Sequence, residues 1–319
     1  MAYWFLMKIL IFGAGAMGSV FGGFLSRHNE VTLLGRGGHI DSIKEKGLTV
    51  SGIWGKHRFR KIKAVKSIDE LPKNPGFDLV MITTKAYDTE GAVKSISPIL
   101  GEKTLVMSMQ NGIGNEDAIS HVAGSDRTIG GMAIFGARMV RPGHVEVTVY
   151  ASECLVGALN KQKDGRVKEI ADVFSTARIP TKLSDDIIRD KWMKAFYNIA
   201  LNPLSAILNV PYGELAKNET TTGIMNDLLK EAFLVAKEKN IPLKFTLREY
   251  FKHLIEKQLP PTASHRSSML QDIDRGKKTE IDYLNGAIVN FADDIGVLVP
   301  VNKTITSLIR YLEACTESV

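Results

Sequence analysis

Lys194, Asn198 and Asn202 recur every four residues within DKWMKAFYNIALNPLSAI, residues 190–207, so a helix would stack them on one face. Trp192, Met193, Phe196, Tyr197, Ile199 and Leu201 surround them. One ammonium with two neutral amides in apolar surroundings suits an oxygen that gains negative charge. The cation stabilises that charge and can deliver a proton, while the amides orient a hydroxylated molecule without adding charge. A plainer reading competes: lysine on an amphipathic helix often reaches out to water, and Asn202 before Pro203 could end or kink the helix. The alignment of three polar residues next to NPLSA favours the chemical reading.

A second constellation lies near the start. Gly13-Ala14-Gly15-Ala16-Met17-Gly18 follows the apolar run KILIF and opens a helical stretch. In that setting G-x-G-x-x-G marks a dinucleotide site: Gly13 for a tight turn, Gly15 for close approach of a pyrophosphate, and Gly18 for helix–strand packing. The phosphates would rest on the helix N-terminus. An NAD-type site places Asp or Glu about 20 residues further on. TLLGRGG stands there instead, with Arg36 where a 2′-phosphate would lie, so NADP(H) is expected over NAD(H). The plain alternative for Arg36 is an exposed arginine in a glycine-rich turn. The missing acid also weakens a methyltransferase reading. Lys85 in TTKAYDTE and Asn111-Gly112 in MSMQNGIGNE fall just past two further strand signals, on the edge where such sheets bind ligands, although turn chemistry alone also recruits such residues.

These residues need a scaffold. Apolar runs at 8–12, 30–34, 78–83, 104–108, 127–135 and 145–150 read as strands, most of them buried on both faces, alternating with helical stretches. The expected fold is α/β: an N-terminal Rossmann-type doubly wound sheet followed by an all-helical C-terminal domain. RPGHVEVTVY followed by ECLVGAL predicts an antiparallel extension on a Pro-Gly turn. Near PTKLSDDIIRD strand signals give way to helical periodicity, so residues 1–185 form the expected cofactor domain and 186–319 the helical substrate domain. Ser184 or Asp185 is expected to cap the helix carrying Lys194.

Composition narrows the function. The 319 residues are 44% hydrophobic and 24% charged, with net charge +6, ordinary for a globular protein. The basic residues are dispersed, with no tract of the kind that binds nucleic acid, though a mild positive field helps collect anionic substrates. Two cysteines and seven histidines without metal-ligand spacing point to a reducing cytoplasm and no metal. No stretch suits a membrane span. The apolar start MAYWFLMKIL lacks the charged region and cleavage site of a signal peptide, and Met7 is an alternative start.

Taken together, GAGAMG, TTKAYDT, QNGIGNE, KWMKAFYNIALNPLSA and SSMLQDIDRGKKTEIDYLNG resemble the ketopantoate reductase (2-dehydropantoate 2-reductase) family, in family order over nearly the whole chain. The resemblance implies NADPH-dependent reduction of the 2-oxo acid ketopantoate to pantoate, on the route to pantothenate and coenzyme A, in a cleft between the two domains. It makes Lys194 the general acid, with Glu280 beside it and the nicotinamide ribose. Asn198 and Asn202 become substrate amides, and Ser268 the hydroxyl that meets the substrate carboxylate. Asn111 would stand where nicotinamide and substrate join, and Lys85 and Ala137 would be cofactor contacts. One departure bears on substrate identity: some members carry a substrate-binding asparagine where this chain has Tyr212. For Glu280 the plain alternative is helix-start electrostatics after a Thr279 cap; for Ser268 it is exposure or capping.

Two rivals stand beside this reading: a reductase of another branched 2-oxo acid, and a non-catalytic NADPH-binding sensor. Neither nucleic acid nor membrane is an expected partner, and the sequence leaves a homodimer open.

Overall fold

The computed structural model describes residues 6–160 and 165–316. Residues 1–5, which carry most of the apolar N-terminal extension, lie outside the described residues. Contacts divide the chain into two units. One runs to Gln110 and resumes from Asn115 to Ile187; the other comprises Asn111–Gly114 and the chain from Ile188 onward.

In the first unit the elements run β1 (Lys8–Phe12), α1 (Ala16–Leu25), β2 (Glu30–Leu34), α2 (Gly37–Lys46), β3 (Leu48–Gly52), β4 (His57–Phe59), β5 (Lys63–Val65), β6 (Leu79–Ile82), α3 (Thr89–Ile96) and β7 (Leu105–Ser108). They continue as α4 (Asn115–Ala123), β8 (Thr128–Met132), β9 (Phe135–Arg141), β10 (His144–Tyr150), β11 (Cys154–Ala158), α5 (Gly165–Thr176) and β12 (Thr181–Leu183). Eight strands form one sheet in the order β12-β11-β8-β7-β6-β1-β2-β5. The run from β5 to β8 is parallel throughout. Strand order reverses at β1, between β2 and β6, and that switch point is where open sheets of this kind bind ligands.

Both faces of the sheet are covered, as continuous apolar strands require. Ile9 and Ile11 join a core containing Phe21 of α1, Ile40 of α2 and Phe174 of α5. Leu10, between them, joins a second core with Val93 and Ile96 of α3 and Ile119 of α4. β6 divides the same way, Met81 to the first core and Val80 with Ile82 to the second. Each fully buried side chain of this size contributes about 1.5–3 kcal/mol.

Two strand expectations need correction. The run 127–135 is two strands: β8 ends at Met132 in the main sheet, and β9 begins at Phe135 in a separate four-stranded sheet of order β4-β3-β10-β9. An unbroken apolar run carries no mark of where a chain leaves one sheet for another. The Pro142-Gly143 turn does make an antiparallel hairpin, pairing β9 with β10, but the hairpin does not extend into 153–159. β10 pairs instead with β3, and β11 returns to the main sheet beside β8. The short strands β3, β4, β5 and β12 had no sufficient signal of their own, because runs of three to five residues with few apolar side chains become strands only through their neighbours.

The second unit is helical: α6 (Ile187–Leu208, its first residue counted with the first unit), α7 (Tyr212–Leu215), α8 (Glu219–Glu238), α9 (Leu247–His253), α10 (Ser268–Ile273), α11 (Asn285–Ile295) and α12 (Pro300–Thr316). α6 runs through the core. Phe196 stacks on Phe233 of α8 at 4.4 Å and meets the edge of Tyr250 of α9 at 5.6 Å. The helix starts one residue later than a cap at Asp185 would require. Asp186 takes the N-cap position, and Ser184 Oγ accepts the Asp186 N–H at 3.1 Å in the turn before it.

Pro203 does not end α6, which continues to Leu208 with the proline inside. Proline has no N–H, so the carbonyl four residues earlier, that of Ile199, loses its helical donor. Asn285 Nδ2 donates to that carbonyl at 3.2 Å. The same amide donates to Asn302 Oδ1 at 3.0 Å, and Asn302 Nδ2 reaches Glu231 Oε2 at 2.8 Å. A polar network thus repairs the break where the ladder passes Asn202.

Candidate active site

In the first unit the site forms where β1 turns into α1. Gly13 has φ +114°, and a Cβ there would fall 2.6 Å from Thr84 N. A Cβ on Gly18 would fall 2.5 Å from Thr83 Oγ1 and collide with the Gly13 carbonyl. Gly15 differs. Nothing lies within 4 Å of its Cβ position, and it is the N-cap of α1 with no side chain capping the helix. The first turn of a helix has N–H groups without intrahelical partners and suits a phosphate group. The open space at Gly15 leaves room for one, with Ala14, Ala16 and Met17 completing the turn. The residues present therefore fit a dinucleotide.

The neighbouring strand ends gather around this turn. Gly13 N and Ala14 N both donate to Leu34 O at 2.9 Å, and a Cβ on Gly35 would fall 2.7 Å from Ala14 Cβ. That contact sets Arg36, the next residue, beside the glycine turn. Arg36 is exposed and makes no hydrogen bond or ion pair among the described residues. Lys85 is half-buried at the end of β6 and precedes a 3₁₀ turn over Ala86–Asp88. Ala137 sits half-buried in β9, opposite Val147, against the first unit's core.

The second unit assembles the ladder. Lys194 and Asn198 are half-buried and Asn202 is 4% exposed. Lys194 Nζ donates to Asn111 Oδ1 at 2.8 Å, so the strand-end asparagine and the helix lysine meet within one unit. The Asn111–Gly114 stretch is held there by Ile113 N, which donates to Tyr283 O at 3.0 Å. Gly112 at φ +85° permits this approach, since a Cβ would fall 2.5 Å from Tyr283 O.

Glu280 is half-buried three residues before Tyr283, and its carbonyl accepts the Tyr283 N–H at 3.0 Å. The Thr279 hydroxyl accepts the Ile281 N–H at 3.1 Å. Glu280 itself, however, is the N-cap of the 3₁₀ turn Ile281–Tyr283, so it does not sit in the first turn of a helix after a Thr279 cap. Ser268 is exposed in the first turn of α10. The buried Ser267 caps that helix, accepting from Leu270 N at 3.0 Å and donating to Asn202 O at 3.2 Å. The side chain of Asn198 and the Nδ2 of Asn202 make no hydrogen bond among the described residues. Chemically, the unit offers a half-buried ammonium that donates to Asn111, next to two amides with free capacity.

Two family models cover the chain: "Ketopantoate reductase PanE/ApbA" over residues 9–161 and "Ketopantoate reductase PanE/ApbA C terminal" over residues 186–313. This chain belongs to the ketopantoate reductase family. It is 39% identical to the 2-dehydropantoate 2-reductase of Aquifex aeolicus (strain VF5), with 97% of each chain covered. Among solved structures it is similar to a ternary complex of D-mandelate dehydrogenase with NADH and anilino(oxo)acetate, at TM-score 0.89 and 32% identity, covering 98% of this chain and 99% of that one. A ketopantoate reductase family protein from Ralstonia eutropha JMP134 matches at TM-score 0.88 and 30% identity, covering 98% and 100%.

Sequence reasoning passed over two residues in this member of the ketopantoate reductase family. Gln110, 6% exposed, sends its Nε2 to Thr84 O and Lys85 O, both at 3.1 Å, and to Thr89 Oγ1 at 2.8 Å. It ties the end of β7 to the loop of Lys85. Its position directly before Asn111 in QNGIGNE was the available signal. Asn285, which repairs the ladder helix, gave none, because its partner stands 86 residues away. Among the described residues no helix is long and apolar enough to cross a membrane.

Proposed function

We propose that the protein reduces ketopantoate to pantoate with NADPH, in the biosynthesis of pantothenate and coenzyme A. The observation that carries this reading is the 2.8 Å bond from Lys194 to Asn111 at the head of a ladder with two available amides. Bound NADPH supplies the hydride. The Gly13–Gly18 turn takes its pyrophosphate, Arg36 its 2′-phosphate, and Lys85 and Ala137 add cofactor contacts. Negative charge then grows on the ketone oxygen, and Lys194 stabilises it and delivers the proton. Asn111 holds one ammonium N–H and so fixes where the others point. Asn198 and Asn202 orient the acyl chain, Ser268 receives the carboxylate, and Glu280 holds Lys194 and the nicotinamide ribose.

The test is NADPH oxidation, followed by absorbance, with and without ketopantoate. Turnover that depends on ketopantoate is expected. NADPH binding without turnover of any 2-oxo acid would favour a sensor instead. A second reading, reduction of a different branched 2-oxo acid, draws on Tyr212 and is separated by a panel of such acids. The same reading puts the enzyme in the cytoplasm, where its two cysteines stay reduced, and admits a homodimer, which sedimentation would read directly.

A further inference from the structure

Tyr212 stands where a substrate-binding amide would be expected, yet it is only 3% exposed. Its hydroxyl donates to Asn202 Oδ1 at 2.6 Å, with both groups buried. The ring is fixed on several sides: edge-on to Tyr197 at 5.7 Å and tilted against His265 at 5.4 Å. The backbone is fixed too, with Tyr212 N donating to His265 O at 3.1 Å and Gly213 N to Ala263 O at 2.8 Å. A Cβ on Gly213 would fall 2.9 Å from Ala263 Cβ, so glycine there lets the Tyr212 turn seat fully. Burial pushes the phenol pKa far above its ordinary value, so the hydroxyl keeps its proton and remains a donor.

An asparagine side chain ordinarily offers either its oxygen or its NH₂ group, because the amide can turn over. Tyr212 narrows that choice for Asn202. Its bond turns Oδ1 toward the phenol, and with the amide turned this way Nδ2 is the group presented to a ligand. The Asn202 backbone is pinned through its carbonyl by Ser267. Asn202 is also two helical turns beyond Lys194, so it meets the end of the substrate remote from the ketone. We infer that Tyr212 is a specificity-determining positioning residue: it fixes Asn202 as an N–H donor to a hydrogen-bond acceptor, such as a hydroxyl oxygen, on the tail of the 2-oxo acid. This rests on the ketopantoate reading given above. It adds that a tail without an acceptor gains nothing from Asn202.

Tyr212→Phe keeps the ring and removes the bond. Steady-state kinetics are compared for ketopantoate and for 3,3-dimethyl-2-oxobutanoate, the same skeleton without the hydroxyl. Loss of one oriented hydrogen bond is worth about three- to tenfold. KM for ketopantoate should rise by that factor with kcat little changed, while the deoxy acid is unaffected. Both substrates are measured on one preparation, so their ratio of kcat/KM does not depend on the folded fraction. In an Asn202→Ala background, where no amide remains to be oriented, Tyr212→Phe should leave the ratio unchanged. A wild-type enzyme that does not turn over ketopantoate overturns the functional reading and this inference with it. Wild-type turnover with a ratio unmoved by Tyr212→Phe, or a further shift in the Asn202→Ala background, overturns this inference alone.

Discussion

Asn285 donates its side-chain amide to the Ile199 carbonyl at 3.2 Å, the carbonyl that Pro203 leaves without a helical donor. Asn285→Ala should therefore destabilise the helical unit by about 1–3 kcal/mol, the cost of a buried polar group left unpaired. Pro203→Ala restores an N–H at position 203. In that background the cost of Asn285→Ala should shrink by about 1 kcal/mol. Urea unfolding of the four proteins closes the cycle, and strict additivity would refute the repair.

Lys194→Met keeps length and apolar packing while removing the charge and the proton. Turnover should fall by about a hundred- to ten-thousandfold, with NADPH affinity, read by fluorescence, nearly unchanged, since the glycine turn and Arg36 belong to the other unit. If the variant keeps more than about a tenth of wild-type kcat, Lys194 is not the general acid.

Two glycines of the turn should separate cleanly. Gly15→Ala places a methyl group in open space, so the thermal midpoint should hold while NADPH affinity drops by roughly tenfold or more, about 1.4 kcal/mol. Gly18→Ala drives a methyl group into the Gly13 carbonyl and should cost about 1–3 kcal/mol of stability. A Gly15→Ala enzyme that binds NADPH normally would mean that no phosphate approaches there.

Arg36→Ala should raise KM for NADPH by roughly ten- to a hundredfold, the worth of a charge-assisted contact, and leave NADH kinetics almost unaltered. Equal losses with both cofactors would show that Arg36 does not read the 2′-phosphate.

What could be read from the chain follows the range of the forces involved. β1 and β2 were legible to the residue because a β-branched run closing on glycine is a local signal, and the ladder was legible because four-residue spacing is too. Neither the exit of β9 into another sheet nor the role of Asn285 could be read, since each depends on a partner far away in sequence. Tyr212 was visible as a departure, but its hydroxyl bond to Asn202 needed the turn at Gly213 to be placed first.

The tetrapeptide Asn111–Gly114 counts with the helices although the sequence on both sides of it builds the sheet unit. Lys194 and its acceptor are therefore inherited from opposite sides of the apparent boundary. A chimera joined to a homologue near residue 187 would bring together a lysine and an asparagine loop with separate histories. The close contact between Gly112 and Tyr283 would be mismatched along with them. The halves of this chain are modular in outline only, and a working graft must carry residues 111–114 with the helices.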